Sequence, residues 1–166
     1  MREIVNAIAF ATRPRALLDG DQYRRSRRPS ASAGALHPVD LLLVHPASRV
    51  FRYDPMTHCL QRLRIVRQEP FDAFITDCSM VLPQAGGTAL VLVGDLARVD
   101  AVYDNPASLL WRDAGALLQT LGLVSAVYRL AFCPVGILGG TVVRALELPP
   151  RAVALGVAII GRTADA

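Results

Sequence analysis

The chain has 166 residues, and with 52% of them apolar it holds enough material for one buried core and too little length for two, so a single domain spanning 1–166 is expected. Four of its positive charges, Arg24, Arg25, Arg27 and Arg28, sit together and account for the whole net charge of +4; with only 6% aromatic residues, this suits one anion held at one place rather than a nucleic-acid face. Three widely spaced cysteines exclude a disulfide framework and a cysteine-based metal site, and neither a secretory leader nor an apolar run near the roughly 20 residues of a membrane span is present, which fits a protein of the reducing cytoplasm.

Residues 2–18 carry Ile4, Ile8, Leu17 and Leu18 with alanines between them, a helical pattern disturbed by Pro14 and stopped by Asp19-Gly20-Asp21. The arginine-rich segment then runs through Ser30, Ser32 and Gly34 to Pro38, and Val39–His45 reads as a buried strand. Pro46–Arg49 turns into a strand over Val50–Tyr53, and Asp54-Pro55 turns into a half-exposed strand over Cys59–Ile65, which together predict an antiparallel meander. Pro70–Met80 is helix-compatible, Gln84–Thr88 a loop and Ala89–Gly94 a second buried strand. From Pro106 to Tyr128 apolar residues recur at three and four, with Pro106 near the helix start. Its apolar face is wider than a small core requires, so this helix is either central to the core or part of a dimer interface. Cys133–Gly140 reads as a glycine-bearing loop, Thr141–Leu146 as a short helix and Ala152–Ile160 as a terminal strand.

The segment with the most chemistry is Arg28–Pro38, RPSASAGALHP. Arginine forks make charge-assisted bonds to phosphate oxygens, and a Ser-Ala-Gly turn lets backbone N–H groups approach an anion or a flat ring without obstruction. Taken alone, the arginine run reads as a solvated loop. In context it resembles the nitroreductase family, and within it the SagB-type dehydrogenase branch, through Ser32, Ala33, Gly34, Ala35, Leu36 and Pro38. The resemblance continues through Phe51-Arg52-Tyr53-Asp54-Pro55 with His58 and Leu60, Leu92-Val93-Gly94 with Arg98, Asp113-Ala114-Gly115 with Gln119, Cys133-Pro134-Val135-Gly136, and Gly161-Arg162.

That resemblance implies an α+β fold, a mainly antiparallel sheet flanked by helices in three layers, and a homodimer that binds FMN at its subunit interface. It implies two-electron hydride transfer to or from a small molecule or peptide-derived natural-product intermediate. Arg27 and Arg28 become the phosphate candidates, Ser32, Ala33 and Gly34 the flavin-lining residues, and Gln119 either a ring or ribose contact or a polar residue satisfying backbone. Azoline-oxidising members carry a Lys-Tyr pair before the long helix; Tyr103 matches the tyrosine as a catalytic candidate, while Val102 replaces the lysine and cannot act as a base. Measured against the family the chain is a short member, and a non-catalytic binding or scaffold protein with a vestigial flavin site is the alternative. The three histidines have no partners at metal-ligand spacing, and His37, standing for a family tyrosine, is the one expected near the site.

Overall fold

A strand that is apolar on consecutive residues has to be covered on both faces. In the computed structural model, which describes residues 1–18, 20–45, 47, 49–83 and 86–162, that is how the two apolar runs are used. They are β3 (Val39–His45) and β6 (Thr88–Asp95), hydrogen-bonded side by side at the centre of a six-stranded sheet. From edge to edge the order is β5 (Cys59–Leu63), β4 (Arg49–Asp54), β3, β6, β8 (Ala152–Arg162) and β7 (Leu130–Val135), with every neighbouring pair antiparallel. Leu41, Leu43, Leu90 and Leu92 point to one face, where α1 (Arg2–Thr12) and α4 (Pro106–Val127) cover them. Leu42, Val44, Ala89, Val91 and Val93 point to the other, under α2 (Gln68–Val81) and α5 (Gly140–Ala145). Each fully buried leucine among them contributes about 1.5–3 kcal/mol.

The expected elements are recovered with three corrections. The first helix does not reach residue 18. Pro14 biases Arg13 to an extended conformation, φ −67° and ψ 135°, so α1 stops at Thr12. The chain then forms β1 (Ala16–Leu17), which pairs antiparallel with β2 (Ser26–Arg27) in a small ladder of its own. Second, the start of the expected loop over Cys133–Gly140 is strand. Its Pro134 is tolerated because β7 lies at the sheet edge, where a missing N–H leaves no ladder bond unmade. Third, a short helix α3 (Leu96–Asp100) follows β6, capped by the Asp95 carboxylate accepting from the Arg98 amide. Asp19, Pro46, Ser48, Gln84 and Ala85, on which parts of the expected turns and loop fall, lie outside the described residues. Among the described residues no helix is long and apolar enough to cross a membrane.

Candidate functional site

The arginine run is sorted by the β1–β2 hairpin. Alternation along β2 buries Ser26 and leaves Arg27 exposed, while the next residue, Arg28, turns inward and donates from Nε to Ser26 Oγ at 2.9 Å. Arg25 is turned towards Asp21: its backbone amide donates to the carboxylate at 2.7 Å and its guanidinium pairs with it at 3.8 Å. Of the two phosphate candidates, therefore, Arg28 reaches an interior position and Arg27 does not.

After β2 the chain is tied to the end of α1 by the Ser30 amide donating to the Ala11 carbonyl at 3.2 Å. It then makes a tight turn over Ala33–Ala35. Gly34 has φ +56°, and Ala35 and His37 also lie in the left-handed region, at +57° and +47°. Such backbone strain persists only where the surroundings hold it, and here α4 supplies the hold. Asp113, buried on the core side of α4, accepts from the Ser32 hydroxyl at 2.5 Å and from the Ala33 amide at 3.0 Å. Ser32 Oγ in turn accepts from the His37 amide at 2.8 Å. The hydroxyl and amide expected to line a flavin are thus already committed, and they act as frame. Asp113 is the site residue that sequence reasoning named without a role. Its signal was a carboxylate between Leu110, Ala114 and Leu117 on an otherwise apolar stripe, a position where a charge needs partners.

Tyr103 meets this turn directly: a methyl group built on Gly34 would collide with its hydroxyl. The turn and the catalytic candidate are therefore in contact, and the exposed Gly34 offers bare backbone beside a phenol. Gln119 is not brought here. It lies six residues beyond Asp113, about 9 Å along the helix and roughly 120° round it, on the solvent side.

On the other side of Arg28 a polar cavity of about 250 Å³ opens at the end of the sheet, walled by Arg24, Arg28, His37, Arg98 and the Asp40–Arg52 ion pair, with the β4–β5 turn at one side. The aromatic-Arg-Tyr-Asp-Pro stretch is that turn. Asp54 accepts from the Met56 amide and the Thr57 hydroxyl, both at 2.8 Å, and the Tyr53 hydroxyl bonds His58 Nδ1 at 2.8 Å. Burial and the nearby Arg98 lower Arg28 to about 10, which leaves it charged at neutral pH.

His37 shares this environment. Burial, then the Arg28 charge, push it down to about 4, so the ring is neutral and its Nε2–H donates to the Ser26 carbonyl at 2.8 Å. Its folded value lies below the ordinary 6.5, so the unfolded chain takes the proton first. The stability contribution is complete above about pH 6.5 and is lost as pH falls towards 4. Replacing His37 with Gln is expected to remove about 1–2 kcal/mol of that acid-side loss, after discounting for partial exposure. Urea denaturation at neutral and acid pH measures it, and a pH dependence identical to that of the unsubstituted chain would contradict the assignment. Among the described residues no group of three or more His, Cys, Asp or Glu could hold a metal.

Comparison with known proteins locates this arrangement in a fold. No protein-family model matches the chain, and no curated protein does. Solved structures do match. A protein of Anabaena variabilis assigned as a nitroreductase superposes with a TM-score of 0.80 at 18% identity over 96% of this chain and 34% of its own. A second, from Ralstonia eutropha JMP134, gives 0.71 at 19% identity over 98% and 73%. A chain of the E. coli microcin synthetase McbBCD complex, with truncated pro-MccB17 bound, gives 0.71 at 18% identity over 98% and 63%. The chain thus spans about a third of the Anabaena protein and under two thirds of the microcin synthetase chain. At this identity the likeness establishes the fold, which is nitroreductase-like.

Proposed function

We propose that this nitroreductase-like chain is an FMN-dependent oxidoreductase that moves a hydride to or from a small molecule or a peptide-derived intermediate. The observation that carries the reading is the Ser32–Ala35 turn: small-residued, open at Gly34, held in a strained conformation by Asp113 and flanked by the charged Arg28. A bound flavin would supply the two-electron chemistry. The chain's own residues supply position and charge. Arg28 is assigned to the phosphate, with Arg27 a weaker arm because it faces solvent; Ala33 and Gly34 are assigned to the ring edge, framed by Ser32; and Tyr103 is assigned to hold a proton on the substrate side. The peptide-derived option draws on the microcin synthetase McbBCD complex, whose structure has truncated pro-MccB17 bound.

We also assign a second copy of the chain to the outer face of α4. Trp111, Leu123 and Val127 are exposed there, and nothing approaches the Gly115 Cα surface. Gln119 would reach a flavin only as part of that interface. A non-catalytic reading draws support from Val102 and from Ser32 and Ala33 being committed to Asp113; it predicts flavin binding without turnover, or none.

Arg28→Ala tests the phosphate assignment. FMN affinity is expected to fall by about 1.5–3 kcal/mol, the scale of a charge-assisted bond, while riboflavin, which lacks the phosphate, binds almost unchanged. Equal losses for both, followed by flavin fluorescence, would refute it.

A further inference from the structure

We propose that the cavity between Arg24, Arg28 and Arg98 is a binding site for the dianionic phosphate group of a phosphate monoester, with Arg98 and Arg24 as arms that the flavin reading does not include.

The charges in the cavity wall do not cancel. Four guanidiniums face two carboxylates. Asp40 is taken by Arg52 at 2.8 Å. Asp54 is taken by its own turn, with the Met56 amide and Thr57 hydroxyl on its two oxygens. Among the described residues, Arg24, Arg28 and Arg98 make no ion pair. Two of the three are partly buried: burial, then the Arg98 charge, lowers Arg28 from the usual arginine value, and burial lowers Arg98, with the Arg24 charge acting in the same direction and Asp40 and Asp95 opposing it. Holding like charges together out of water is unfavourable unless a counter-charge enters.

A structural role for these side chains does not use up their donors. Arg28 gives one N–H to Ser26 Oγ, and Arg98 gives one to the Tyr23 carbonyl at 3.0 Å, out of five apiece. The three arginines come from different elements: Arg24 from the hairpin connection, Arg28 from beyond β2, and Arg98 from α3. A carboxylate is planar and is satisfied by one fork, whereas convergent forks from separate directions suit the tetrahedral oxygens of phosphate. Neutral His37 adds no competing charge. A phosphate here is either the tail of FMN or part of a phosphorylated substrate, and the site does not require the flavin reading to hold.

Isothermal titration of the whole chain with inorganic phosphate tests the site. Saturable binding is expected, with Kd on the order of millimolar or tighter. Arg98→Gln and Arg28→Gln should each weaken it about tenfold or more, Arg98→Lys less, and Arg64→Gln, at an exposed position just past the end of β5, not at all. Competition then separates the sources. If FMN displaces phosphate and riboflavin does not, the site takes the flavin tail; if phosphate and FMN bind together, it takes a phosphorylated substrate. Riboflavin binding, read separately by fluorescence, reports on the flavin reading itself. No saturable phosphate binding at tens of millimolar, or binding retained in full by both glutamine variants, would overturn the proposal.

Discussion

Asp113→Ala is expected to destabilise the chain by about 2–4 kcal/mol, because two partly buried donors, the Ser32 hydroxyl and the Ala33 amide, lose a buried, charged acceptor and each unpaired group costs about 1–3 kcal/mol at full burial. The left-handed Gly34, Ala35 and His37 then lose the contact that holds them from α4. Asp113→Asn keeps one acceptor for Ala33 and leaves Ser32 free to rotate, so about half the effect is expected. Flavin affinity should fall with stability in both variants, since a turn that samples other conformations is competent for only part of the time. Urea denaturation with parallel FMN titration reads both quantities. A loss under about 0.5 kcal/mol in Asp113→Ala would show that the turn is held by something else.

Gly34→Val is expected to cost about 2–4 kcal/mol from two separable sources. A β-branched residue at φ +56° is strained wherever it sits, and here its side chain also enters the space of the Tyr103 hydroxyl. The two separate in a double-mutant cycle. In a Tyr103→Ala background the collision disappears and the backbone term, about 1–2 kcal/mol, remains. If Gly34→Val costs the same with and without Tyr103, the close approach of phenol and turn is not energetically real. Because Gly34 is assigned to the ring edge and Tyr103 to the substrate side next to it, the same cycle read by flavin fluorescence reports whether that surface is used.

How much of this was legible in the sequence depends on the range of the signal. β3 was read to its exact residues, since Pro38 precedes a continuous apolar run, and α4 was read to within one residue of its end from apolar spacing and Pro106. The β1–β2 ladder was not legible, because two-residue strands carry no periodicity, and without that ladder Arg27 and Arg28 looked equivalent. Asp113 carried a local anomaly, a carboxylate in an apolar stripe, but its partners lie 80 and 81 positions away and nothing local identifies them. β7 was missed because Pro134 argues against a strand unless the strand is known to be at an edge. Arg98 matched a family position without a role, which only the cavity it shares with Arg28 suggests.

A flavin site formed by the Ser32–Ala35 turn and Arg28 is tested by titrating the purified chain with FMN, followed by absorbance and fluorescence. Saturable uptake is expected, with the flavin bands perturbed by the protein and FMN favoured over riboflavin through its phosphate. No uptake even at millimolar FMN would contradict it.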